Sequence, residues 1–257
     1  MPHIDSPNFA DACDLVLCPW HDRDCKPRTN PEATTPPSRV FLSGENWYFE
    51  RCLHYLKNFE NKIELVYHRT DKPFDRAKFE AVRPYCAHIY AENCEIDHPM
   101  ITRVPLGFHP FHPVPKRLDC PKDILCYVNL GLYNDREVQF INCRTLRMHC
   151  IDHFKKQPWA TVDEEPIPND EFAAKMARAR FVVCPPGFGL DTHRFYETSW
   201  LGGTPIVLST GLNDMYRQFG DPMIVDTWED VTKEKLETRA YVKPRDELFT
   251  VEHWLLQ

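Results

Sequence analysis

Short apolar runs alternate with helix-like stretches along most of this chain, and that alternation restricts its fold more than any other feature. Strand candidates in the first half lie at 14–18 ("DLVLC"), 39–43 ("RVFLS"), 63–68 ("IELVYH") and 87–91 ("AHIYA"), with helices around 47–58 and 75–83. In the second half 123–130, 159–162, 181–185 and 205–209 read as strands, and 136–155, 169–178 and 192–201 as helices. Strands separated by helices build parallel sheets, because a parallel pair needs a crossover long enough to hold a helix. The expected fold class is therefore α/β. Between the halves, "VPLGFHPFHPVPKRLDCP" carries five prolines from Pro105 to Pro121. Proline fixes φ and removes a donor, so this stretch suits a stiff connection and not an element interior. It places a boundary near 114–119 and divides the chain into domains 1–115 and 116–257. Ligands of open α/β sheets sit beyond the carboxyl ends of the strands, which puts the expected active site in a cleft between the two domains.

Composition removes several classes of function. The net charge is −7, and the 31 Lys and Arg are scattered, which is the wrong balance for a nucleic-acid surface. No apolar run approaches the ~20 residues that span a bilayer, and "MPHIDSPNFADACD" lacks the basic and apolar regions of a signal peptide. The expectation is a soluble, cytoplasmic chain without a membrane span. The eleven cysteines are an odd number without a CxxC pair, which points to reduced thiols and away from a disulfide framework or a Cys-rich zinc site.

The stretch 181–208, "FVVCPPGFGLDTHRFYETSWLGGTPIVL", holds four of the nine glycines. It reads as a buried strand, a tight loop "PGFGLD", a helix capped by Asp191 or Thr192, a Gly202-Gly203 stop and a second strand. Glycines at 187 and 189, beside Pro186, let backbone N–H groups approach a ligand, and a helix start carries about half a positive charge, a pairing that favours phosphate. Any βα turn also takes glycine for local reasons, so the loop alone does not decide. Arg194 and Glu197 stand three apart and share a helix face, next to His193. Arg194 can donate a bidentate fork to a phosphate, and Glu197 can accept from two vicinal ribose hydroxyls. Neither GxxxxGK[ST] nor an N-terminal GxGxxG is present, which disfavours an NTPase and a dinucleotide oxidoreductase. Arg136, in "NLGLYNDR", is the candidate for a second phosphate-binding cation, with Tyr133 and Asn134 beside it.

The run "ARFVVCPPGFGLDTHRFYETSWLGGTPIVL" resembles the exostosin-like glycosyltransferases, glycosyltransferase family 47. It carries their Phe-Cys-x-Pro-x-Gly strand and loop, Arg-x-x-Glu helix and Gly-x-x-Pro-[Val/Ile] turn, and "YRQFGDPMIVDTWEDV" resembles the family's next segment. Gly203 stands where the family commonly has cysteine, and the family's membrane anchor has no counterpart. The resemblance implies a GT-B fold of two Rossmann-like domains, an N-terminal acceptor-binding one and a C-terminal nucleotide-sugar-binding one. It also implies transfer from a UDP-sugar to a glycan hydroxyl with inversion, without a metal cofactor. Compact virus-encoded members, xylosyltransferases among them, make UDP-xylose the first donor to test.

Inversion by single displacement needs a general base, expected from the first domain. His21 and Asp22 follow the first strand, Glu45 the second, and His68 and Asp71 the third. Asp22-Arg23-Asp24 also fits the manganese motif of GT-A transferases, so a metal-dependent enzyme using Asp22 and Asp24 stays an alternative. His149 and His153, at i and i+4, lack the HExxH glutamate, and like His109 and His112 they read as structural. A phosphatase and a non-catalytic nucleotide- or sugar-binding protein are the other classes left open. The aromatics Trp20, Trp47, Tyr48, Phe108 and Phe111 are candidates for stacking on an acceptor sugar, or core.

Overall fold

The computed structural model describes residues 3–17, 27–33, 36–44, 46–132 and 143–255, for 46–48 the backbone alone. They form two compact α/β units. Unit 1 comprises Met1–Phe111, Gly189–Asp191 and Glu247–Gln257, and unit 2 comprises His112–Phe188 and Thr192–Asp246. The main division thus falls at Phe111 instead of 115, because the segment after it is tied to unit 2, where Trp200 Nε1 donates to the Pro115 carbonyl at 2.8 Å. Nor does the second unit run to residue 257, since the last eleven residues belong to unit 1.

Unit 1 opens with α1 (Ser6–Asp11), β1 (Leu15–Leu17), β2 (Arg28–Thr29), β3 (Arg39–Ser43), α2 (Asn46–Leu56), β4 (Ile63–His68), α3 (Arg76–Val82), β5 (Cys86–Ala91) and β6 (Ile101–Arg103). Asp5 caps α1 by accepting from Asn8 N, and Asp75 caps α3 by accepting from Lys78 N. The sheet order is β2-β1-β3-β4-β5-β6, parallel except for the short antiparallel edge β2. The pleat sorts side chains to two faces. Leu65, Tyr67, Ile89 and Ala91 pack with Cys52 and Leu56 of α2 and Phe79 and Val82 of α3. Residues of opposite parity, such as Phe41, Val66 and His68, face the other side and are also buried.

Unit 2 contains β7 (Ile124–Asn129), α4 (Cys143–Lys155), β8 (Ala160–Asp163), α5 (Asn169–Arg178), β9 (Ala179–Val183), α6 (His193–Trp200), β10 (Thr204–Leu208), α7 (Asn213–Gln218), β11 (Met223–Val225) and α8 (Lys233–Thr238). Its sheet is wholly parallel, in the order β11-β10-β9-β7-β8. The chain leaves β7 for the edge strand β8 and returns to the far side of β7 as β9, which makes the β7/β9 junction a topological switch point. The core on one face joins Cys126, Val128, Phe181, Val183 and Ile206 to Cys150 and Phe154 of α4 and to Trp228. The last helix, α9 (Val251–Leu255), returns to unit 1.

All nine described cysteines are free and eight of them are buried. Burial pushes the Cys86 and Cys184 thiols up to about 12, so they pack as small apolar groups. No helix of the described residues is long and apolar enough to cross a membrane.

Candidate functional site

In a doubly wound parallel sheet the loops that leave the strand ends on either side of the switch point diverge and open a crevice. In unit 2 these are the loop after β7, which begins at Leu130 and Gly131, and the loop after β9, which runs through Pro185, Pro186 and Gly187 toward α6. The glycine-rich stretch of the sequence therefore stands where such sheets bind ligands.

The eight-residue α6 starts at His193 with Thr192 as its N-cap residue in extended backbone, and no side-chain cap bond closes that end. Asp191 does not act as the cap: its carboxylate accepts from Leu106 N at 2.9 Å while its own N–H donates to Asn93 Oδ1 at 2.8 Å, all within unit 1. His193, Arg194 and Glu197 are each half-buried. The Arg194 guanidinium lies 4.9 Å from the centroid of the Phe172 ring of α5, a cation–π contact that orients it. Burial raises the Glu197 carboxyl above its ordinary range, against the opposing pull of Arg194 and His112. Glu197 is thus a shielded carboxyl that prefers hydrogen-bonding partners.

The two loop glycines have a reason within the protein. A Cβ on Gly187 would stand 3.1 Å from Arg147 Nη2, and one on Gly189 would stand 2.9 Å from Asn93 Nδ2. The close approach that would crowd a side chain there is to the protein's own groups. Pro186 is buried, and its carbonyl accepts from Arg147 Nε at 3.1 Å. Arg147, absent from the sequence-derived candidates, sits on α4, is 5% exposed, and also donates through Nη1 to the Gly131 carbonyl at 2.9 Å. It resembles any arginine of an amphipathic helix in "CRTLRMHC", and only its burial under two loops sets it apart.

Among the expected bases, His21, Asp22 and Glu45 lie outside the described residues, as do Asp24, Tyr133, Asn134 and Arg136. Asp71 is exposed in the turn after β4. His68 cannot meet a substrate, because it is wholly buried at the end of β4. Its Nδ1 lies 2.7 Å from Glu92 Oε2, with Ser6 Oγ also near, and its Nε2 lies 3.0 Å from the Pro105 carbonyl. Glu92 follows β5 and accepts from the N–H groups of Arg69 and Thr70, each at 2.9 Å. Burial alone would lower His68, yet Glu92 and the Pro105 carbonyl hold it above the ordinary value; burial alone would raise Glu92, yet His68 and the two N–H donors hold it below. Both shifts favour the charged form of the pair, which is wholly buried and ties β4 to the turn after β5.

His149 and His153 both approach Glu229 Oε1, at 3.3 and 3.8 Å. Among the described residues no three His, Cys, Asp or Glu side chains gather as metal ligands. Of the aromatics, Phe108 is core at 2% exposure while Phe111 is exposed; Trp20 and the side chains of Trp47 and Tyr48 lie outside the described residues. A solvent-open pocket of about 480 Å³ lies at the ends of β10 and β11, lined in part by Ser209, Asn213, Arg217, Asp226 and Lys235. No family model matches the chain, and no curated protein matches it in sequence.

Proposed function

We propose that the chain is an inverting glycosyltransferase of the exostosin-like, GT-B kind, moving a sugar from a UDP-sugar, with UDP-xylose the first candidate, to a hydroxyl of a glycan. The observation that carries this reading is positional. The stretch with the exostosin-like strand, loop and Arg-x-x-Glu helix folds as β9, loop, α6 and β10, and its loop leaves β9 at the switch point of unit 2. Arg194 and Glu197 follow on the first turns of α6.

In this reaction the bond from the anomeric carbon to the β-phosphate oxygen breaks and UDP leaves with the electron pair. The acceptor oxygen bonds to the opposite face of that carbon, and its proton passes to a base. Charge grows on the departing diphosphate, where the positive end of α6 and the Arg194 guanidinium favour it. Removing one such fixed donor typically costs ~3 kcal/mol of barrier, about a hundredfold in rate. Glu197 accepts from the ribose hydroxyls, a partner that satisfies its half-buried carboxyl. The base is sought among His21, Asp22, Glu45 and Asp71. No metal has a part in these steps; a manganese requirement would shift the assignment to Asp22 and Asp24 and to GT-A chemistry.

The test is calorimetric titration with UDP, GDP and a set of UDP-sugars, with and without EDTA, on the native chain and on Arg194→Ala and Glu197→Ala. UDP binding that survives EDTA is expected, weakened about tenfold or more in each variant, the size of a lost charge-assisted hydrogen bond. UDP release that depends on an added glycan separates a transferase from a nucleotide-binding protein or a phosphatase. Equal affinity in both variants removes this site, and failure to bind any nucleotide removes the proposal.

A further inference from the structure

We propose that Arg147 is the positioning residue of the switch-point site, the group that sets the separation of Gly131 and Pro186, where the chain leaves β7 and β9, so that a nucleoside diphosphate is received there. This rests on the site proposed above and adds to it a residue on a different helix. Arg147 projects from α4, and its planar guanidinium spends two of its donors on two carbonyls, Pro186 O through Nε at 3.1 Å and Gly131 O through Nη1 at 2.9 Å. Those carbonyls belong to the two loops that border the junction of β7 and β9. A single rigid group that bonds both loops holds their distance constant, which two independent side chains do not.

The third nitrogen, Nη2, lies 3.1 Å from the point where a Cβ on Gly187 would stand, so a side chain at 187 would press on the guanidinium. At 5% exposure, burying this charge is costly in free energy and calls for a compensating role. Lysine cannot replace it, because an ammonium has neither the plane nor the fixed fork that reaches two acceptors at set angles. Fixing the starts of the two loops, at Gly131 and Pro186, spares the ligand that part of the ordering cost, so the effect belongs to the end of the ligand nearest them, the diphosphate, and not to the nucleoside.

The experiment compares UDP with uridine by ligand-observed NMR titration of the full chain and of Arg147→Lys, Arg147→Met and Gly187→Ala, with thermal unfolding of each. Arg147→Lys and Arg147→Met are expected to lower the UDP affinity about tenfold or more while changing that of uridine less than about twofold, because the diphosphate end then meets backbone whose spacing must be fixed on binding. Gly187→Ala, whose Cβ would stand 3.1 Å from Nη2 and so must push the whole planar guanidinium slightly aside, is expected to shift the UDP-to-uridine ratio the same way by a smaller factor and to stay folded. If a native chain that binds UDP keeps the same ratio in the folded variants, or if lysine restores it fully, Arg147 has no positioning role and the inference falls alone. If the Arg147 variants do not fold, Gly187→Ala decides: an unchanged ratio overturns the inference. If the native chain binds neither ligand, the site itself is wrong and the inference falls with it.

Discussion

His68 and Glu92 show how much one buried pair can set at the scale of single residues. Nδ1 of His68 lies 2.7 Å from the Glu92 carboxylate and also faces the Arg69 N–H at 2.8 Å, while Nε2 lies 3.0 Å from the Pro105 carbonyl; the carboxylate and the carbonyl favour the doubly protonated ring and the N–H opposes it. The backbone beside each partner is in the left-handed region at a residue other than glycine, Arg69 with φ 63° and Asn93 with φ 50°. Glu92 holds that turn by accepting from Arg69 N, and Asn93 Nδ2 donates to the Thr70 carbonyl at 2.9 Å. Replacing Glu92 by Gln leaves a buried histidine without its counter-ion, and breaking such pairs costs about 3–5 kcal/mol. The pH dependence comes from the two shifts. His68, raised in the folded state, contributes fully below its ordinary value of 6.5 and loses its contribution as pH rises through the higher folded value. Glu92, lowered in the folded state, contributes fully above its ordinary value of 4.5 and loses its contribution as pH falls through the lower folded value. Asp191, which acts on His68, and Asp5, on which His68 acts, modulate the same balance. The stability difference between the native chain and Glu92→Gln is therefore expected to be greatest between about pH 4.5 and 6.5 and to shrink on both sides. Denaturant titrations across pH measure it, and a difference that does not vary with pH, or that is greatest outside this window, would overturn the charged-pair assignment. The order of residues places His68 at the end of a strand but carries no sign of this pairing, because Glu92 lies just past another strand and only the parallel register brings it near.

At the scale of elements, α6 carries Arg194 and Glu197 and is closed by its own C-terminal signal. Gly202, with φ 77°, stands just past the last helical turn; Gly203 N donates to Thr198 O at 2.9 Å and Gly202 N to Ser199 O at 3.3 Å. These are the two bonds of a Schellman ending, in which glycine adopts the left-handed conformation at no steric cost. Gly202→Ala is expected to lower stability by about 1 kcal/mol while UDP affinity stays the same, because the strain falls at the far end of the helix from Arg194. Thermal unfolding paired with titration checks this, and a large loss of binding would mean that the ending of α6 shapes its beginning. Elements like this one were legible. The runs 39–43, 63–68 and 169–178 agree with Arg39–Ser43, Ile63–His68 and Asn169–Arg178 at both ends, because each combines a clear period with a clear boundary. The three-residue strands Ile101–Arg103 and Met223–Val225 and the short α1, α7, α8 and α9 have no such period, and their neighbours in space determine them.

For the whole molecule, the expected α/β class holds in two units with separate parallel sheets, but the chain does not divide between them once. Glu247–Gln257 belongs to the first unit, where Leu248, Phe249, Val251, Trp254 and Leu255 are each at most 2% exposed. Ile4 N donates to Phe249 O at 3.0 Å, and the Phe108 and Phe249 rings stack at 5.9 Å. At ~1.5–3 kcal/mol for each buried large apolar side chain, the tail contributes on the order of 10 kcal/mol before its ordering entropy, against ~5–15 kcal/mol for a whole domain. Ending the chain at Asp246 is expected to abolish the cooperative unfolding of unit 1, read by circular dichroism in denaturant; an unchanged transition would show that the tail is dispensable. Local order was available from the sequence alone, since apolar period, caps and glycine stops act over a few residues: the α/β alternation, the β9–loop–α6–β10 unit and its Arg194–Glu197 face. Only the tertiary structure decided the strand order that makes β7 and β9 a switch point, the place of Arg147 beneath two loops, the His68–Glu92 pair and the return of the tail. Each depends on contacts between residues distant in sequence, whose free energy comes from burial and register and leaves no periodic trace in the order of the amino acids.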